Sequence, residues 1–142
     1  MTQRELLVST VKFYTSENRG YNIEKGLCEY QANPNSPGCA IGRFLPKDVS
    51  KIFDEYDLPG ITTILENSDL CSRIPQWLLD LNSGFLNAVQ KLHDETLNWN
   101  ITGISDQGKY KVKSICIQYG LEPLTEDELK HETTIWKYLP LS

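Results

Sequence analysis

Hydrophobic positions in this chain recur at two spacings. Over most of its length they return every three or four residues, and in one stretch every two, so the pattern predicts a mainly helical chain with one β-hairpin. Leu7, Val11 and Tyr14, with Leu6 and Thr10 alongside, give a first helix over residues 3–17. Thr2 and Glu5 form a capping box at its start, each side chain satisfying a free backbone N–H, and Asn18-Arg19-Gly20 closes it. Residues 26–31 alternate apolar and polar, as a half-buried strand does. Asn33-Pro34-Asn35-Ser36-Pro37-Gly38 is turn chemistry throughout, and Cys39-Ala40-Ile41 returns. The hairpin is thus expected near residues 26–42.

Pro46 opens the next helix at a position where a missing N–H costs nothing, and Val49, Ile52, Phe53 and Tyr56 stripe it up to Leu58-Pro59-Gly60. A short helix is predicted over 61–67, and Pro75 opens another containing Trp77, Leu78 and Leu81. The clearest helical pattern covers 85–98, where Phe85, Val89, Leu92 and Thr96 share a face with Leu86 and His93 beside it. A loop over 100–106 leads to a helix over 107–119 carrying Val112, Ile115, Cys116 and Tyr119, ended by Gly120-Leu121 as a Schellman-type cap. Thr125 with Glu128 is a second capping box, opening a terminal helix through Leu129, Thr133 and Trp136. The expected fold class is α+β: a mainly helical single domain of about five to seven helices with one hairpin, in which 122–142 form a helical extension and interaction element.

Composition narrows the function classes. At 142 residues, 39% hydrophobic and 23% charged, the chain has ordinary globular proportions. A net charge of −5 argues against binding nucleic acid, which calls for a basic face. Lys109, Lys111 and Lys113 are the best basic cluster, and their alternation predicts a solvated helix face. No uncharged stretch approaches the roughly 18 apolar residues of a membrane span, and the N-terminal segment mixes charge into its apolar positions. The expectation is a cytoplasmic protein without a membrane partner. Four cysteines with no CxxC pair and no secretory context predict reduced thiols.

The candidate chemistry gathers around the hairpin. Were it symmetric about its loop, Cys28 and Cys39 would face each other across two strands, roughly 4.5–5.5 Å apart at Cβ. That geometry suits a disulfide, two metal thiolates or two small packed hydrophobes, and with His93 it offers three functional readings. In the first, Cys39 is a nucleophile activated by His93, although Asp94, adjacent on the helix, points about 100° away and is badly placed to orient the ring. In the second, Cys28, Cys39 and His93 are zinc ligands, with Asp94, Cys71 or His131 as a fourth, but without the close ligand pairs that strong zinc signatures show. In the third, both thiols are buried and inert and His93 flanks an apolar stripe. Trp77, Trp99 and Trp136, with Tyr110, Tyr119 and Tyr138, are core residues or stacking surfaces for a ligand. The apolar run 135–141 docks on its own domain or reaches a second copy or another protein, which makes 129–141 the expected seat of a homo-oligomer. No Walker loop, HExxH, GxSxG or GxGxxG is present, and no cofactor is expected.

Cys28-x-Tyr30, the Pro/Asn/Gly turn, Cys39-Ala40-Ile41-Gly42 and Leu45-Pro46, followed by Leu86–Asp94 (LNAVQKLHD), Trp99 and Gly120-Leu121, resemble the signature of small proteins common in phage and prophage genomes. The resemblance covers about residues 5–121. It departs at the longer loop, at Arg43, where many such proteins have a small residue or Cys, and at the C-terminal extension. That kinship has no settled activity and carries no catalytic residue over. It implies a setting: a non-enzymatic accessory protein that counters host defence by binding, either blocking a host protein or sequestering a nucleotide-like signal molecule. For the latter, the ligand would stack on Tyr30 or Trp99, beside Cys39 and His93, with Arg43 and the backbone at Gly42 on its phosphates.

Overall fold

The computed structural model describes residues 1–19, 21–22, 27–28, 40–46, 48–51 and 68–132, the side chains of 21, 22, 27, 28, 68 and 70 excepted. Five helices are bounded among the described residues: α1 (Gln3–Phe13), α2 (Ser68–Cys71), α3 (Gln76–Leu79), α4 (Ser83–Asp94) and α5 (Asp106–Tyr119). Residues 48–51 are also helical. Two antiparallel strand pairs accompany them, β1 (Tyr21–Asn22) with β2 (Leu27–Cys28), and β3 (Trp99–Asn100) with β4 (Gly103–Ile104). The architecture is α+β and mainly helical.

Local chemistry sets the helix starts. At α1 the capping box closes both ways, with Glu5 N donating to Thr2 Oγ1 and Thr2 N to Glu5 Oε1, each at 3.1 Å. Asn82 caps α4 by accepting from Phe85 N, and Ser105 caps α5 by accepting from Gly108 N. Gly120 sits at φ 65°, where a side chain would be strained, so Leu121 N can reach back to Cys116 O at 2.8 Å. α4 is the central helix, packing against α1 on one side and α5 on another. Leu6, Leu7, Val11 and Phe13 of α1 meet Phe85, Leu86, Val89 and Leu92 of α4, and Val112, Ile115 and Cys116 extend the core into α5. Ala40, Ile41 and Leu45 fill it from the segment before the 48–51 helix, and Val49 from that helix itself.

Several elements differ from the sequence pattern, each for a local reason. α1 stops at Phe13 because the Asn18 side chain takes the backbone groups a further turn would use: its Nδ2 donates to Phe13 O at 2.7 Å and its Oδ1 accepts from Thr15 N. The strand at Cys28 pairs toward the N-terminus, with Tyr21 opposite Cys28 and Asn22 opposite Leu27. The expected return through 39–42 is instead a turn at 40–41 and a 3-10 helix over Gly42–Phe44. Ala40, Ile41 and Gly42 are buried in succession, which a half-exposed strand cannot do, and Phe44 N and Leu45 N bond three residues back. Cys39, Tyr30 and the predicted turn 33–38 lie outside the described residues, as do Ile52, Phe53, Tyr56 and the short helix expected over 61–67.

α4 ends at Asp94, and Thr96–Asn98 form a separate 3-10 turn. The 100–106 loop contains a tight hairpin, its return strand beginning at Gly103 with φ 131°. The terminal helix does not propagate. Thr125 and Glu128 make the capping box, Thr125 N to Glu128 Oε1 at 2.9 Å and Glu128 N to Thr125 Oγ1 at 3.1 Å, but only a turn over 126–129 follows. Lys130 then bridges to Gly103, and Glu132 N donates to Lys12 O at 2.9 Å. Residues 122–132 are therefore a strap laid along α1, and 133–142 lie outside the described residues. Arg4 fastens this strap, its guanidinium gripping both Glu128 oxygens and the carbonyls of Glu122 and Pro123.

Candidate functional site

The buried polar centre of the molecule lies where α1 meets the end of α4. Tyr14, the residue at which α1 turns extended, is wholly buried, with the His93 ring 4.4 Å away edge to face and the Trp99 ring 6.0 Å away. His93 sits in the last turn of α4 and is also wholly buried. Its Nδ1 lies 3.0 Å from Asp94 Oδ1, and the same oxygen accepts from Gln90 Nε2 at 2.8 Å. The expectation that Asp94 is badly placed to orient His93 is thus corrected. Asp94 ends the helix, and its side chain folds back over the preceding turn, held there by Gln90 one turn earlier.

Burial is the main cause that pushes the His93 pKa down from its ordinary value; the hydrogen bond and charge of Asp94 oppose it, and Arg19 and Arg43 add to it. A neutral ring donating from Nδ1 to Asp94 keeps a lone pair on Nε2, and that atom has no hydrogen-bond partner among the described residues.

Arg43 and Arg19 frame this centre from two segments. Arg43 enters from the 3-10 turn and is buried, with its guanidinium carbon 4.3 Å from the Phe13 ring centroid and 4.5 Å from that of Phe44. Its Nη2 donates to Ser9 Oγ at 2.8 Å and Thr10 Oγ1 at 3.1 Å. Such a stack suits a flat, weakly hydrated cation in an aromatic setting. Arg19, read from sequence only as part of a helix stop, donates to the carbonyls of His93 (3.0 Å) and Asp94 (2.8 Å) and to Thr96 Oγ1 (2.9 Å). It caps the carbonyl end of α4, where a cation is favoured. Trp99 Nε1 donates to the carbonyls of Leu92 and His93, and Asn98 Nδ2 to that of Leu92. These side chains occupy the acceptors that a longer α4 would have used, which is why the helix ends at Asp94.

Of the residues singled out from sequence, Arg43, His93 and Trp99 come together around Tyr14, and Gly42 lies beside them, its carbonyl accepting from Ser50 Oγ at 3.2 Å. All four are core residues. Tyr30, Cys39 and the Cys28 side chain lie outside the described residues, so the Cys39–His93 pair and the Cys28–Cys39–His93 ligand set each retain one described side chain. Among the described residues no three His, Cys, Asp or Glu side chains gather as a metal would need. Sequence reasoning missed Arg19, Gln90 and Asn98; the Gln90–Asp94 spacing, one helical turn ending on His93-Asp94, is the signal that could have found the hydrogen bonds that place Asp94 on His93.

A different surface is open to solvent. A cleft of about 350 Å³ between α5 and the strap is lined by Lys109, Tyr110, Lys113, Leu124, Glu126 and Leu129, among others. Lys109, Lys111 and Lys113 are all exposed, as the solvated face expected of them requires. Among the described residues no helix is long and apolar enough to cross a membrane. In comparisons with known proteins, no family model, no curated protein and no solved structure matches the chain.

Proposed function

We propose that the protein is a non-enzymatic binding protein of the phage accessory kind, which acts in the host cytoplasm by occupying and blocking a host defence protein. The observation that supports this most is the burial of its candidate chemistry. Arg43 is 4% exposed, Trp99 4% and His93 0%, and each bonds or stacks on the chain's own backbone and rings. Large apolar side chains reach solvent elsewhere, at Leu97, Ile101, Tyr110 and Ile117. Blocking a protein is favoured over sequestering a nucleotide-like molecule, because the Arg43 guanidinium is stacked on Phe13 and Phe44.

The test is native mass spectrometry of the protein purified from defence-bearing host cells. The expected spectrum contains one host protein at fixed stoichiometry, unchanged in Cys39→Ser. A bound small molecule in its place would transfer the proposal to ligand sequestration.

A second reading, a small hydrolase or transferase using Cys39 and His93, is favoured by one observation, the 3.0 Å contact of His93 Nδ1 with Asp94. A carboxylate on Nδ1 leaves Nε2 as the base such chemistry needs. It requires that Cys39→Ser and His93→Gln each abolish the effect on the host while the fold survives.

A further inference from the structure

We propose that the outer face of α5 docks an acidic amphipathic helix of a partner protein. This rests on the reading above, that the protein works by binding, and names the face and the chemistry of its partner. Four of the five exposed large apolar residues among the described residues fall in one stretch of chain: Leu97 (72% exposed), Ile101 (70%), Tyr110 (77%) and Ile117 (74%). Leu97 and Ile101 lie where the chain enters α5, the Leu97 carbonyl accepting from the N-cap Ser105 Oγ at 2.6 Å. Along the helix itself, Val112, Ile115 and Cys116 face the core, which turns Tyr110, Ser114 and Ile117 outward at spacings of four and three. That spacing is the seam a second helix packs against, and the small Ser114 between two large side chains leaves a hole for a knob.

The hollow is real in the surface. A depression of about 600 Å³ is lined by Asp106, Gln107, Tyr110, Lys111 and Ser114. A smaller one of about 170 Å³ between α4 and α5 shares Lys111 and Ser114 and reaches Leu92 and Ile115. The two meet at Lys111 and Ser114, and Tyr110 of the seam lines the first.

Charge selects the partner. α5 carries three lysines against one aspartate, within a chain of net charge −5. Lys111 faces Glu95 at 3.3 Å, but Lys109 and Lys113, one turn apart, make no ion pair among the described residues. Like charges at that spacing repel, and carboxylates flanking a partner's apolar seam relieve the repulsion while steering its approach.

The test uses the full chain, labelled for NMR, titrated with two synthetic helical peptides that share a leucine seam and differ in glutamate or lysine flanks. The acidic peptide should shift the amides of 107–118 and weaken about tenfold between low and high salt. Tyr110→Asp with Ile117→Asp, both at exposed positions, should abolish the shifts, and Lys109→Glu with Lys113→Glu should reverse the peptide preference. Equal binding of both peptides, shifts elsewhere on the surface, or no shifts overturn the inference. If the peptide fails while the protein still co-purifies with a host partner, this inference falls and the binding function stands. If the peptide binds α5 and no host partner exists, the surface stands and the proposed function falls.

Discussion

Two buried polar side chains, Arg43 and His93, each make a measurable contribution to the fold. Arg43 holds a charge inside an aromatic cage, stacked on Phe13 and Phe44 and tied to the hydroxyls of Ser9 and Thr10. Truncating it removes the stack, opens a cavity and strands buried polar atoms. Arg43→Ala should therefore cost about 2–4 kcal/mol in urea unfolding. His93 acts through its proton. Its folded pKa is held below the unfolded value of 6.5, chiefly by burial, so below that pH the unfolded chain takes up a proton that the native ring refuses. Its contribution to stability is complete above pH 6.5 and declines as the pH falls below it. Unfolding free energies measured from pH 7 to 5 should drop in the native protein and change less in His93→Gln; equal slopes would mean that the ring titrates freely.

At the scale of elements, the joints of the fold rest on close approaches that only certain residues allow. Gly108 lies in the first turns of α5, and a Cβ there would stand 2.4 Å from both Asn98 O and an Ile104 side-chain carbon. Gly108→Ala gains about 1 kcal/mol of helix propensity and should still destabilise by about 1–3 kcal/mol, because the obstructing carbonyl is backbone. A thermal melt reads the sign directly.

The strap depends on Arg4 and Glu128. Hydrogen bonding to Arg4 holds the Glu128 carboxyl at about 2, so the stability this pair adds is whole above the usual carboxylate range near 4.5 and is lost as the pH falls toward 2. The pair is partly exposed, with side chains 31% and 25% accessible, so Glu128→Gln should cost no more than about 1 kcal/mol. An NMR titration of the Glu128 carboxyl carbon near 4.5 would contradict the clasp.

The start of α1 and the end of α5 were legible in the sequence because caps and apolar stripes are local: Thr2-Glu5 and the Gly120-Leu121 stop act within a few residues, while the equally local Ser105 cap of α5 was missed. What was not legible depended on distant partners. The end of α4 is fixed by Arg19, some seventy residues earlier in the chain, and the strap replaces a terminal helix because Lys130 and Glu132 find Gly103 and Lys12. Arg43, His93 and Trp99 could be singled out by residue type, but their gathering around Tyr14 and their burial depend on packing between distant segments and were not legible.

Across the described residues of the molecule, a set of polar side chains is turned inward while large apolar side chains on one helix face solvent. Arg19, Arg43, His93, Gln90 and Asn98 knit α1, the Gly42 turn and the end of α4, while Tyr110 and Ile117 face solvent between lysines. That distribution suits the proposed function of binding through a surface. The measurement that tests it most directly is phage plating on a defence-bearing host that expresses either Cys39→Ser or the Tyr110→Asp, Ile117→Asp pair, each first checked for an unchanged melting temperature. Cys39→Ser should protect the phage as well as the native chain does, and the α5 pair should give no protection. Protection lost with Cys39→Ser and retained by the α5 pair would contradict the proposed function and favour the reading in which Cys39 and His93 carry an enzymatic activity.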